Sequence, residues 1–571
     1  KEIDMGLNDE PKQLISMGAY VIIMPDKKYI NTLDTTDFGN IEASFTTQSD
    51  TTFSLCTVDG AEYENMTVSA EEPAEPQNMA LWIDTSSTPH TLKQYSEASA
   101  VWVQIATTYV KLSSPGIGAA FEQYDGVTIS GIVAQELQDL NASTTIWAKG
   151  NDYIVVVGLL DMVTAQEIAD GAITVERKMP NVDFITESEN RLWGCRYGVA
   201  ANGEVVNEIY ACKLGDFKNW NSFMGLSTDS YVASCGTDGQ FTGAITHLGY
   251  PLFFKENYVH KVYGNYPSNF QIQTTACRGV QKGCDRSLAI VNETLFYKSR
   301  SGVCAYDGSL PQEISYQVGE VPYSHAVAGA HGNKYYISMH DDTGVESVFA
   351  DPYVTGSTLF IQQVFSAVQK DDTVCVDGWF EAHVSDTDKT QLIIEQVYDA
   401  KKTSYRLKLD VEDTTEADRW SLFVYDTAKG MWHREDSTRV DDFCSCRGEL
   451  YYIDHYDRQI KTMFGSGKAE SKKVEWMAET GLIGVESPDT KYISKLAIRL
   501  SLDIDARVYF FIEYDSSECW EFLFSTMGTT LRSFYVPIRP RRCDHFRLRI
   551  EGIGDAKIFS MTKTVEQGSD F

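Results

Sequence analysis

A short pattern recurs along this chain: a Gly or Asn, two variable residues, then three apolar residues. Gly249-Tyr-Pro-Leu252-Phe253-Phe254 and Asn292-Glu-Thr-Leu295-Phe296-Tyr297 are two copies. Gly332-Asn-Lys-Tyr335-Tyr336-Ile337 and Gly448-Glu-Leu-Tyr451-Tyr452-Ile453 are two more, and Gly18-Ala-Tyr-Val21-Ile22-Ile23 and Asn190-Arg-Leu-Trp193 are weaker ones. Gly and Asn tolerate the left-handed backbone of a tight turn into a strand. Three consecutive apolar residues suit a strand covered on both faces. A second element follows at fixed distance: Tyr263 lies 14 residues after Gly249, and Tyr306 lies 14 after Asn292. Ile209-Tyr210 and Phe423-Val424-Tyr425-Asp426, closed by Met431-Trp432, are its counterparts. The turns at 249, 292 and 332 are 43 and 40 residues apart. Four-stranded propeller blades repeat at about 40–45 residues. The expected fold is therefore all-β, a β-propeller of about six blades.

Where the spacing lengthens, the extra chain reads as insertions. Residues 1–38 supply part of a first blade, and 39–179 an inserted β-rich region with strand patterns at Ala100–Ile105, Thr144–Lys149 and Tyr153–Val157. One helix-like piece is expected near Thr164 to Asp170. Blades follow over 180–340, and 341–418 is a second insertion, inside one blade, with strand patterns at Leu392–Val397 and Tyr405–Leu409. Residues 419–466 close the propeller. Beyond them, 467–571 reads as a C-terminal antiparallel sandwich of short strands: Tyr492–Leu500, Ala506–Tyr514, Trp520–Phe524, Ser533–Pro537 and His545–Ile550. The tail Glu566–Phe571 reads as an exposed end.

Composition narrows the partners. An apolar share of 43 % with 23 % charged residues belongs to a globular chain. The 49 basic residues face 81 acidic ones, a net charge of −32. A surface that negative repels nucleic-acid phosphates and anionic lipids, which argues against sequence reading of DNA and against membrane anchoring. The longest apolar run, Tyr153–Leu160, is closed by Asp161 and is far short of the roughly 20 residues of a spanning helix. The chain opens Lys-Glu-Ile-Asp without an initiator Met, so residues before Lys1 are expected to be missing or removed. The twelve cysteines include no Cys-x-x-Cys pair and read as reduced, mostly buried thiols.

No catalytic, cofactor or metal residue is assigned from the sequence. Ser227-Thr-Asp-Ser230 and Ser385-Asp-Thr-Asp388 do not continue into the Gly and Trp of a sialidase Asp-box, and Arg539-Pro-Arg541-Arg542 is one run of neighbours where a carboxylate clamp needs convergence. Ser385–Asp388 also lacks the Gly and bidentate Glu of a calcium loop. Asp341-Asp342, Asp371-Asp372, Asp441-Asp442 and Glu71-Glu72 read as solvated pairs. His325, His331 and His340 match no ligand spacing. Trp193, Trp220, Trp420 and Trp432 fall at equivalent strand ends and are expected in the core.

One stretch carries a family likeness. Glu189-Asn-Arg-Leu-Trp-Gly194, then Asn207-Glu-Ile-Tyr-Ala-Cys-Lys-Leu-Gly-Asp216 and Asn219-Trp-Asn221, resembles a phrase of propeller-type structural proteins in bacteriophage tail nozzles and hubs. Cys212 stands where that phrase has a small polar residue. The resemblance covers 181–341 well, 420–463 moderately and the insertions not at all. It implies a non-enzymatic virion structural protein of the tail, assembled in the bacterial host cytoplasm, without cofactor. Its partners would be other copies in a ring, portal or adaptor proteins, and tail-fibre or tail-tip proteins, with DNA in non-specific transit through the channel. A tail-tip adhesin binding a host receptor or glycan is the alternative.

Overall fold

The computed structural model describes residues 3–158, 167–199, 203, 205–319, 322–342, 419–464, 475–486, 491–517, 520–538 and 541–567, with strand backbones alone between 345 and 412. The protein is all-β: strands follow one another throughout, and helix among the described residues is limited to short 3-10 turns. No described helix is long and apolar enough to cross a membrane. The chain divides into two compact units, Lys1–Ile314 and Ser315–Phe571.

The first unit is built on four antiparallel sheets, each of four strands paired in chain order, over 13–40, 184–234, 241–276 and 289–313. In every one the first two strands meet through a two-residue turn. Met17 pairs with Tyr20, Ser188 with Arg191, His247 with Tyr250 and Val291 with Thr294. In the second unit His331 pairs with Lys334 and Cys446 with Glu449 in the same way. All six repeat residues, Gly18, Asn190, Gly249, Asn292, Gly332 and Gly448, have positive φ. Their apolar triplets then fill the interior: Leu252, Phe253 and Phe254 are wholly buried, as are Tyr335 and Ile337. Tyr451–Ile453 is the exception and stays half-buried, on a sheet with three strands among the described residues (440–462).

Four of these turns hold both central residues at positive φ, and there the residue beside the repeat Gly or Asn is an ordinary side chain: Glu189, Leu248, Glu293 and Arg447. Hairpin turns of this kind match the twist of the flanking strands, but a left-handed non-Gly residue costs about 1–2 kcal/mol. Leu248 is more than half exposed and gains little by packing. Leu248→Asn is expected to stabilise the chain by about 1 kcal/mol, read as a shift of the denaturant midpoint. An unchanged midpoint would show that Leu248 contributes contacts of equal worth.

Neighbouring sheets of this unit touch where the first strand of one meets the first strand or the opening turn of the next. Gln13 Nε2 donates to Ile185 O at 2.9 Å, Ser188 Oγ to Gly249 O at 2.9 Å, and His247 Nε2 lies 2.6 Å from Glu293 O. Arg286, leading into the fourth sheet, donates to Lys12 O at 3.3 Å, beside the start of the first.

Between the first and second sheets lies the inserted region. A five-stranded sheet and a four-stranded sheet enclose Phe53, Leu112, Val127, Ile129, Ile154 and Val175, and a smaller four-stranded sheet over 67–104 adds Leu81, Ile83 and Leu92 to the same core. The strand expected over Thr144–Lys149 is two pieces, Ser143–Thr145 and Ala148–Lys149, because the chain passes there from one sheet to the other. The expected helix is overturned where it is described. Glu167–Asp170 is a strand paired with Thr51–Ser54, and residues 164–166 lie outside the described residues. Pairing along the Thr51–Cys56 strand outweighs the helical propensity of Glu167 and Ala169.

In the second unit, a four-stranded sheet uses Tyr323–His331, Lys334–Asp341, Trp420–Asp426 and Met431–Asp436. Strands of a seven-stranded sheet occupy the interval between its second and third strands. Leu392–Glu395 and Leu407–Glu412 are among them; residues 396–397 and 405–406 of the expected patterns lie outside the described residues. The C-terminal region differs from the five short strands read from the sequence. Lys491–Tyr514 and Glu521–Val536 are single long strands, broken in register near Leu502 and Arg507. One half of the long strand pairs with Ala556–Gln567 and the other with Phe546–Ile553, and Leu496, Ile498 and Leu500 share a core with Phe510, Ile512 and Phe546. The two halves of this one sheet thus share a single apolar core. Glu566 and Gln567 still belong to its last strand, and 568–571 lie outside the described residues.

Candidate functional site

The stretch that carries the family likeness, 189–221, folds as a polar socket for the inserted region. The chain leaves and re-enters the body through two paired strands, Ala43–Thr46 and Thr174–Arg177. Arg177 closes that neck. Its Nε donates to Ile41 O at 3.1 Å, and its Nη1 forms a very short ion pair with Asp125. Both side chains are almost fully buried. Asp125 also accepts from Asn219 Nδ2 at 3.0 Å, and Asn219 Oδ1 accepts from the Gly126 N–H at 2.7 Å. Asn219 is itself steadied by Asp216 Oδ2 at 2.5 Å. Two residues on, Asn221 Nδ2 donates to Ser143 Oγ at 2.9 Å. Gly126 is needed for the approach, since a Cβ there would sit 2.7 Å from Asn221 O.

Arg191, Trp220 and Cys212 of the stretch hold this loop. The Arg191 guanidinium donates to Cys212 O at 2.8 Å, Asp229 O at 2.6 Å and Ser227 O at 2.9 Å. Trp220 is buried, with its Nε1 on Phe217 O at 2.8 Å. Cys212 takes the Leu192 N–H at 3.0 Å through its Sγ, so the thiol does the work of a hydroxyl. A cleft of about 180 Å³ lies between the second and third sheets, with Arg191, Trp193, Tyr250 and Phe270 in its wall. Because the guanidinium is committed to three carbonyls, it does not offer a free fork to an anion.

A second polar cluster is buried between the same two sheets. Lys255 is 1 % exposed, and its Nζ donates to Asn207 Oδ1 at 2.9 Å and Thr237 O at 2.8 Å. Burial draws its pKa below the ordinary lysine range. His260 beside it has no exposed surface, with Thr237 Oγ1 3.0 Å from Nε2 and Thr274 Oγ1 2.8 Å from Nδ1. Burial first, and the Lys255 charge second, hold its pKa down to about 4. The sequence reading passed over Lys255. Its signal is positional: Lys298 stands at the same offset, six residues beyond the turn, and is also buried, with Nζ on Ser299 O at 2.6 Å.

The remaining sequence candidates do not converge. Ser324 Oγ and His340 Nδ1 both reach Asp342 Oδ1, at 2.8 and 2.9 Å, and His325 stands near His340, with ring centroids 6.3 Å apart. His331 lies elsewhere, stacked on Phe464. Among the described residues no group of three His, Cys, Asp or Glu is placed to hold a metal. Asp229 of Ser227–Ser230 caps its own turn, accepting from Met224 N at 2.5 Å and Leu226 N at 2.9 Å. Ser385–Thr387 is strand backbone, while Asp388, Asp371 and Asp372, and Arg539 and Pro540, lie outside the described residues. Arg541 is exposed and pairs with Glu521 at 3.0 Å. Of the four expected core tryptophans, Trp193, Trp220 and Trp420 are buried and Trp432 is half-buried against Tyr425. The described cysteines are free thiols. Burial pushes Cys56 and Cys212 up to about 12 and Cys235 and Cys277 up to about 11, which makes them poor nucleophiles.

No protein-family model matches the chain, and no curated protein matches it. Among solved structures, an exo-β-1,3-galactanase from Phanerochaete chrysosporium with β-1,3-galactotriose is similar at 9 % identity. The match covers 66 % of this chain and 95 % of that one, with a TM-score of 0.16. A glycoside hydrolase gives 9 % identity, 66 % and 96 % coverage and the same TM-score of 0.16. Likeness at that level carries no argument about activity.

Proposed function

We propose that this chain is a non-enzymatic structural protein of a bacteriophage tail, a β-propeller of about six blades that takes its place in an axial nozzle or hub ring around the DNA exit channel. The observation that carries the reading is the stretch 189–221. Arg191, Asn219 and Trp220 in it hold the loop or seat the inserted region. A phrase used in this way is a scaffold element, which fits the role of the proteins it resembles. The propeller reading is supported by the six sheets that open on a left-handed hairpin turn, and by contacts from the first strand of one sheet to the opening turn of the next. The net charge of −32 suits a wall past which DNA slides without being gripped.

Single-particle imaging of tailed virions, with mass spectrometry of the same particles, tests the proposal. Density for this chain in an axial ring is the expected result. Density on a peripheral spike would transfer the role to adhesion, and absence from the particles would overturn the proposal.

A further inference from the structure

The charge of this chain is unevenly distributed. Residues 467–571 hold 15 basic and 16 acidic residues, while residues 1–466 hold 34 basic and 65 acidic ones. The C-terminal region is thus close to neutral, and the rest carries nearly all of the net charge. Part of its acid is moreover turned inward: Glu479 pairs with Arg549 at 2.7 Å, and the fully buried Glu513 pairs with Arg547.

The outer face of the sheet formed by 495–501, 531–535 and 557–564 shows the result. Leu496, Ile498 and Leu500 point into the core, so Lys495, Ala497 and Arg499 point outward. Register places Tyr535 beside Ala497, Ser533 and Ser560 beside Arg499, and Lys557 beside Ser501. Lys495, Arg499 and Lys557 are exposed; the nearest described carboxylates, Asp503 and Asp555, lie at the Lys557 end of the face. Tyr535 is 78 % exposed and Leu531 49 %. An exposed aromatic and Leu among exposed cations make a poor solvated surface and a good contact surface.

We propose that this face docks on the acidic surface of a second copy of the chain. Charge complementarity selects that occupant: each copy brings a nearly neutral region with a cationic face and a body that is strongly negative. Tyr535 and Leu531 favour a protein partner over a phosphate backbone, which is held by charge and hydrogen bonds and has no use for an exposed Leu. The two surfaces differ, so the contact is head-to-tail and generates a ring or an open filament. The contact stands on the charge distribution; only its closure into a ring rests on the tail reading.

The test is sedimentation of the full chain in about 50 mM and about 500 mM salt, a range over which screening grows strongly, beside the variant K495E/R499E/K557E. Expected are assemblies at low salt that dissociate at high salt. The variant should need on the order of a hundredfold higher concentration to assemble, since three exposed pairs are lost and reversed. Tyr535→Ser weakens assembly without altering charge, and unchanged denaturation midpoints for both variants show that folding is intact. A monomer under every condition, or assembly indifferent to salt and to the triple variant, overturns the proposal. So does DNA binding that the triple variant loses in a chain that never self-associates. An axial ring in virions that forms equally well from the triple variant would refute this contact and leave the tail reading standing. Self-association through this face by a chain absent from virions would do the reverse.

Discussion

Asp125→Ala is expected to cost about 3–5 kcal/mol, the penalty for leaving one member of a buried ion pair without its partner. Asp125 and Arg177 are 2 % and 5 % exposed, so the guanidinium left behind would be a buried charge without its carboxylate. The loss extends beyond the pair, because Asp125 also accepts from the Glu122 N–H at 2.8 Å and from Asn219 at 3.0 Å. Hydrogen exchange should show faster opening across 43–177, with protection largely kept over 241–313. The double variant Asp125→Leu with Arg177→Met removes both charges and should recover most of the loss, as apolar replacements of buried pairs commonly do. A single variant with wild-type stability would mean that the neck is held by its strand pairing alone.

His260 sets the second large effect. An unfolded histidine titrates near 6.5, and this one is held to about 4 in the folded chain. Between those values the unfolded chain binds a proton that the folded chain refuses, so stability falls as pH drops from about 6.5 to about 4. The group accounts for roughly 3 kcal/mol of loss on full protonation, at about 1.4 kcal/mol per pH unit. His260→Gln keeps an amide within reach of Thr237 and Thr274 and has nothing to titrate. Stability of the two chains, measured by denaturant titration at pH 7, 6, 5 and 4, should differ progressively, with the variant gaining on the wild type as acid is added. The many carboxylates titrate in both chains and cancel in that difference. A pH-independent difference would sink the assignment.

The turns were legible because backbone geometry demands particular residues. Gly249 and Asn292 announce a left-handed position, and the apolar triplets behind them announce burial. Leu248 and Glu293 occupy equally left-handed positions and announce nothing, since the turn imposes a cost on them that the sequence does not display. The bend of the long C-terminal strand misled for a related reason. Asp503-Ile504-Asp505 reads as the end of one strand and the start of another, while the chain keeps its direction through the bend and only its pairing is interrupted. The socket was hidden more deeply. Asp125 meets Arg177 across 52 positions and Asn219 across 94, and no local pattern couples an Asp, an Arg and an Asn so far apart.

The second insertion shows how little a sheet need know of what it carries. His340 and Trp420 are paired neighbours, and the Asp341 N–H donates to Arg419 O at 2.7 Å, so the chain leaves and returns at the distance of an ordinary hairpin. Closing that loop asks almost nothing of the sheet whatever its length, because loop entropy grows only slowly with added residues. Such a port lets selection exchange one passenger domain for another while the host fold, its register and its folding route stay as they were.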